Sequence, residues 1–262
     1  MSVNTSDERF RLSEDSLISI ARFVFLVIFF GAWEYVARMR YIDPLFIGIP
    51  SEIANYLWLG LFVDFTLIKD LIWTLGSTFL AFAIGSAAGI ATGLVFINWP
   101  AFEKFVDPLF SALNALPRIA LAPLFLLWFG LGIWSKVALG ASLTYFIVLS
   151  SAVAGIRGTN TDHLVLARTM GASQGQVFIK ITLPSAVPTI FSGLRLGLIY
   201  ALLGVIGGEI IAAEHGLGQL LSFLAGSFQI SGVFAVLFVL ATMGTGLIWA
   251  MNRLETRLLR WR

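Results

Sequence analysis

The sequence predicts an all-α fold, a polytopic membrane helix bundle with about six transmembrane helices. Three observations carry that expectation. Of 262 residues, 58% are hydrophobic and only 12% are charged, where a soluble globular chain carries about 25% charged residues. Mean hydropathy is +0.90. The stretches Leu71–Phe102, Val137–Ile156 and His215–Asn252 contain no Asp, Glu, Lys or Arg at all, and each exceeds the roughly 18 apolar residues that mark a spanning-helix candidate. Such a chain cannot build the surface of a soluble enzyme or a nucleic-acid-binding domain. With no cysteine it has neither a disulfide framework nor a thiolate metal site.

Along the chain, residues 1–19 form a short segment of mixed charge. No small-residue cleavage pattern follows the first apolar run, so that run is expected to remain as an anchor. The first span is expected at Ile20–Met39, with Arg22 and Glu34 near its ends where long side chains reach the interface. Pro50-Ser51-Glu52, followed by Ile53, Leu57 and Leu61, predicts a capped amphipathic helix on the outer surface. The second span, Thr74–Ile97, closes at Asn98-Trp99-Pro100, and Ala101–Asp107 reads as a polar lead-in to the third. That third span lies within Leu109–Ile133 and is interrupted by Pro117, Arg118 and Pro123. Spans four to six are expected at Val137–Ile156, Thr189–Ala213 and Val233–Ala250, so that the membrane domain occupies residues 20–252 and 253–262 form a basic tail. Gly85, Gly89 and Gly93, Gly193 and Gly197, and Gly204 and Gly208 repeat at four-residue spacing. Each set lines one helix face and lets backbones approach closely.

Charge sets the expected orientation. With the N-terminus inside, the inner segments hold Arg9, Arg11, Lys104, Arg157, Arg168, Lys180, Arg253, Arg257, Arg260 and Arg262. The outer segments hold only Arg38, Arg40, Lys69 and Lys136. Positive charge favours the cytoplasmic side, which places both termini and the polar insert 158–188 in the cytoplasm.

The insert predicts a helical hairpin. Thr161 or Asp162 caps a short helix through Thr169, and Gly171 supplies its stop. Ser173-x-x-Gln176 is a capping-box pattern opening a second short helix, ended by Pro184 and Pro188. A membrane chain with no large soluble domain has little structural use for such an element. Docking to a partner is its expected role.

Ala167-Arg168-Thr169-Met170-Gly171, nine further residues and Ile181-Thr182-Leu183-Pro184 resemble the EAA motif of permease subunits of bacterial ABC importers. Val165 and Leu166 stand where that motif begins with Glu and Ala. Pro117-Arg118-Ile119-Ala120-Leu121-Ala122-Pro123-Leu124, Trp128-Phe129-Gly130-Leu131-Gly132, Ser135-Lys136, Gly193-Leu194-Arg195, Glu209 and Gly216-Leu217-Gly218 resemble the nitrate, sulfonate, taurine and bicarbonate branch of that family. The resemblance spans roughly residues 40 to 250. It implies a type I importer permease in the bacterial inner membrane. It also implies as partners two cytoplasmic ATP-binding subunits, a second permease copy and an external solute-binding protein. ATP and Mg would then act on the ATPase, with no cofactor on this chain. The sequence agrees, since none of its lysines follows a glycine and a phosphate-binding loop is therefore absent.

On that resemblance Ala167, Gly171 and Ala172 are the expected ATPase contacts, and Ile181, Leu183 and Pro184 anchor the insert to the bundle. Asn114, Pro117 and Arg118 are candidates for the translocation pathway, because proline frees backbone carbonyls and a charge inside a span faces a cavity or a partner. Arg118 either attracts an anion or snorkels to the interface. Glu209 is either paired within the bundle or part of an outer gate. A small anion is the expected cargo, with a neutral pyrimidine or vitamin precursor as the alternative. A secondary transporter would show repeated broken helices, and none is evident. A membrane enzyme would need clustered acids and histidines, whereas His163 and His215 fall on opposite sides.

Overall fold

A computed structural model describes residues 6–258, with side chains from residue 16 onward. Residues 1–5 of the expected N-terminal segment, and Arg260 and Arg262 of the expected basic tail, lie outside the described residues. Every regular element among the described residues is helical. Among the described residues five helices are long and apolar enough to cross a membrane, and a bent pair brings the number to six if it counts as one span. The chain divides into two compact units.

The first unit holds α1 (Ser6–Arg38), α2 (Pro44–Ile47), α3 (Pro50–Trp58), which continues into a π turn (Leu59–Val63), and the segment Leu224–Ala235. The apolar window of α1 buries none of its residues in the chain, as suits a lipid-facing anchor. The expected amphipathic helix is α3, but its N-terminal satisfaction comes from α1. Glu34 accepts from the Ser51 N–H (2.9 Å) and the Ser51 hydroxyl (2.8 Å), and Arg38 Nε donates to the same carboxylate at 2.5 Å. Pro50 needs no acceptor for a missing N–H, so the first orphan donor falls to Ser51.

The second unit runs from Phe65 to Phe223 and resumes at Val236. Its framework is α4 (Thr66–Asn98), α7 (Ile133–Arg157) and α10 (Leu183–Ile211), with α7 between the other two. The glycine faces explain the arrangement. A Cβ on Gly85 would lie 2.6 Å from the Ala141 carbonyl oxygen of α7, and one on Gly204 of α10 would lie 2.7 Å from Gly140 Cα. No larger residue fits at either crossing without displacing backbone. The close approach also brings the Thr144 hydroxyl of α7 to 3.0 Å from the Gly197 carbonyl of α10, a hydrogen bond between helices that lipid does not compete for.

Two expected boundaries change. The third span is a helix pair, α5 (Pro100–Ala115) and α6 (Ala122–Phe129), joined by a 3-10 turn (Arg118–Leu121) and bent by 86°. Ala101–Asp107 belongs to α5 because Pro100 initiates the helix at its first turn. The second helix of the insert does not stop before span five. α9 (Gln174–Val177) passes through a π turn (Phe178–Thr182) directly into α10. Pro184 cannot donate a backbone hydrogen bond, and the π turn just before it absorbs that defect without breaking the rod. The remaining elements are α8 (Thr161–Thr169), α11 (Leu217–Gly226) and α12 (Ile230–Leu258). Arg195 of α10 pairs with Glu255 of α12, and Arg157 of α7 pairs with Glu103 of α5.

Candidate functional site

The polar hairpin is built by its caps. Asn160, rather than Thr161 or Asp162, caps α8, with its side-chain oxygen accepting from the Asp162 N–H at 2.8 Å. At the other end the Gly171 N–H donates to the Arg168 carbonyl (2.9 Å) and the Ala172 N–H to the Ala167 carbonyl (3.0 Å). This is a Schellman closure with Gly171 at φ +81°, a conformation that glycine adopts without a Cβ penalty. Ser173 and Gln176 then form the reciprocal capping box that opens α9. Two turns of backbone are thus fixed with no help from a membrane or a partner.

Of the residues expected to contact a partner, Gly171 is open to solvent, Ala172 is half-buried and Ala167 is 8% exposed. Ala167, Ile181 and Pro184 come together on the walls of a cleft of about 430 Å³ that also takes in Leu166, Met170 and Lys180. Leu183 and Pro184 are solvent-accessible and Ile181 is half-buried. On α8 and the glycine turn the exposed large apolar side chains are Met170 (79% exposed), Val165 and Leu166. Motif spacing points to glycine and alanine and passes over these three. Their signal in the sequence is large apolar side chains on a short helix that begins and ends in polar residues.

At the bend, α5 ends at Ala115, Leu116 and Pro117 are extended, and Arg118 opens the 3-10 turn. The Arg118 guanidinium bonds the Asn114 side-chain oxygen and lies 4.2 Å from the Phe146 ring centroid of α7, a cation–π geometry. Asn114 and Pro117 are exposed. Phe146 packs edge-on against Tyr145 at 4.9 Å and tilted against Phe110 at 5.9 Å, while the Tyr145 hydroxyl donates to Thr92 at 3.1 Å. The bend therefore carries one cation on an aromatic shelf. Nothing in the sequence pairs Arg118 with Phe146, and the shelf is visible only in three dimensions.

Glu209 is elsewhere, near the C-terminal end of α10, and is 1% exposed. Both its carboxylate oxygens accept from the Thr74 hydroxyl of α4 at 3.0 Å, and one accepts from the Gly218 N–H at 2.9 Å. It shares no partner with Asn114 or Arg118. Among the described residues no group of three or more His, Cys, Asp or Glu side chains could hold a metal ion.

Long apolar helices packed through glycine faces, with a charge at a helix bend and a capped hairpin, make up a polytopic membrane helix bundle. Residues 83–260 match the model of the binding-protein-dependent transport system inner membrane component, and the chain belongs to that family. It is 35% identical over 245 residues to the formylaminopyrimidine transport permease protein ThiX of Halalkalibacterium halodurans, covering 91% of this chain and 94% of that one. It is 30% identical over 261 residues to the taurine transport system permease protein TauC of Escherichia coli, covering 97% and 92%. Among solved structures, an inward-facing MetNI methionine ABC transporter has a chain with the same fold, at TM-score 0.64 and 19% identity, covering 73% of this chain and 95% of that one. The protein is thus a multi-pass ABC importer permease subunit, not itself an enzyme.

Proposed function

We propose that this subunit forms the inner-membrane pathway for a small organic or inorganic anion, with both termini and the α8–α9 hairpin in the cytoplasm. The observation that carries the anion reading is Arg118. It sits at the bent helix pair, held by a neutral amide and an aromatic face, and among the described residues no carboxylate forms an ion pair with it. A cation without a counter-ion in a span is costly unless a cavity or a passing anion meets it. TauC is named for taurine transport, and taurine carries an anionic sulfonate that such a cation would meet.

The hairpin is the proposed coupling element. Val165, Leu166 and Met170 expose apolar surface on a capped, self-supporting turn, suited to a groove on each of two separate ATP-binding subunits that carry ATP and Mg. A second copy of the permease and an external solute-binding protein complete the proposed assembly. A second cargo reading, a neutral pyrimidine, draws on the Phe110, Tyr145 and Phe146 shelf and on the identity to ThiX.

The test is ATP-dependent uptake by proteoliposomes holding the chain with its ATPase and binding protein. Taurine or another small sulfonate is expected to be transported and formylaminopyrimidine not; the reverse result selects the second reading. In the same preparation Leu166→Glu is expected to release the ATPase on purification while leaving the chain in the membrane. Uptake that persists without any ATPase would defeat both readings.

A further inference from the structure

The α10–α11 connection is held more firmly than a loop between two helices requires. Three helices grip it. From α4, Asp70 accepts the Gly216 N–H at 3.0 Å, Thr74 accepts the Leu217 N–H at 2.9 Å, and the Trp73 ring stacks on His215 at 5.3 Å. From α7, Lys136, which is 5% exposed, reaches the His215 carbonyl at 3.4 Å. From α10, Glu209 takes the Gly218 N–H and the Thr74 hydroxyl. Thr74 is the relay, since its oxygen accepts from Leu217 and its hydrogen goes to Glu209. Glycine is required at both contact points. A Cβ on Gly216 would fall on the Glu209 carboxylate, and one on Gly218 would lie 2.7 Å from both Glu209 Cβ and the Ile206 carbonyl oxygen.

We propose that Glu209 is a positioning residue, a permanent pin that fastens residues 212–218 to the start of α4, so that this connection, α4 and α10 travel as one body through the transport cycle. The inference rests on the permease reading and specifies how its bundle moves. Lifting the connection away would take one of its two donors from a buried carboxylate, which keeps only the Thr74 hydroxyl, and leave the Leu217 and Gly218 N–H groups unsatisfied. Both are strongly unfavourable at a point enclosed by packed helices. The carboxylate also lies at the N-terminal end of α11, where the helix dipole favours negative charge. A latch that opened each cycle would be built from exposed or singly bonded groups. This one is enclosed, multiply bonded and closed over by backbone.

The chain has no cysteine of its own, so a paired probe is clean. In the reconstituted assembly, Trp73→Cys with His215→Cys is bridged by a short bis-methanethiosulfonate, which reductant removes. A pin predicts that the bridged protein keeps at least about half of the ATP-driven uptake of the reduced protein. A reductant-reversible loss below half overturns it, because the connection must then move away from α4. In the same cysteine pair, Thr74→Val is expected to slow bridging about fivefold relative to Thr74→Ser, measured by mass spectrometry on the purified chain whether or not it transports. Thr74→Val is also expected to lower uptake about tenfold, with bridging restoring it, whereas Thr74→Ser behaves as the parent. Restoration by a bond made after folding separates positioning from a folding defect. Equal bridging rates in the two Thr74 variants, or no restoration, overturn the pin. If the parent protein shows no ATP-dependent uptake the permease reading fails, and the bridging rates still decide the pin.

Discussion

Glu209 within α10 and Arg118 at the α5–α6 bend are both charges in apolar stretches, and the structure holds them differently. Glu209 is enclosed and receives a hydroxyl and a backbone N–H, with glycines closing over it. Arg118 is half-buried, bonds an amide on its own helix pair and rests on a ring. An enclosed carboxylate hydrogen-bonded at both oxygens suits a structural role. A half-buried guanidinium held by one amide residue and a ring keeps N–H donors free for something else. Burial alone would have ranked Glu209 as the functional group; the hydrogen-bond inventory reverses that order for anything that must meet a passing solute.

Removing each charge should therefore fail differently. Glu209→Ala leaves the Gly218 N–H and the Thr74 hydroxyl without their acceptor, and each buried donor left unsatisfied costs about 1–3 kcal/mol. The expected outcome is a stability loss larger than any substitution at Arg118 or Asn114 produces, read as a lower thermal midpoint of the detergent-solubilised subunit. An unchanged midpoint would remove the contrast. Arg118→Gln should leave that midpoint within the roughly 0.5 kcal/mol typical of substitutions that break no buried network. Anion uptake should fall about tenfold or more, equivalent to about 1.4 kcal/mol in the transport barrier. A drop in stability with uptake intact would reassign Arg118 to packing.

Much of the fold is legible in the sequence because its causes are local. Charge-free runs locate the spans, the four-residue glycine spacing anticipates the faces where α4 and α10 meet α7, and Gly171 and Ser173-x-x-Gln176 give the hairpin its turn and caps. Boundaries governed by non-local or compensating effects are not legible. Pro184 reads as a stop, yet the π turn Phe178–Thr182 carries the helix through it. Asn160 caps α8 one residue before the two candidates that composition offers. At the site level, the sequence marks Arg118 and Glu209 as charges in spans but names neither of their decisive partners. Phe146 is one phenylalanine among 23, and Thr74 is separated from Glu209 by the whole of α5 to α9. The exposed trio Val165, Leu166 and Met170 is legible only when apolar residues in a polar insert are treated as surface rather than core.

The smallest expected effect sharpens the comparison most, because it separates the charge of Arg118 from its placement. Asn114 contributes no charge; it orients the guanidinium through its side-chain oxygen, and Phe146 supports the same group from α7. Asn114→Ala leaves the cation and its ring support in place while freeing the side chain to sample other rotamers. The bond is donated by a charged group but is exposed to solvent, so its loss should cost less than the roughly 1.5–3 kcal/mol of a hydrogen bond to a charged group, and anion uptake should fall by only about threefold. The affinity-like half-saturation of transport should shift more than its maximum rate if Arg118 acts by meeting the solute. A loss as large as that of Arg118→Gln would mean that geometry, not charge, sets passage at the bend. No change at all would mean that the guanidinium is placed by Phe146 alone, and Phe146→Leu would then carry the full threefold effect.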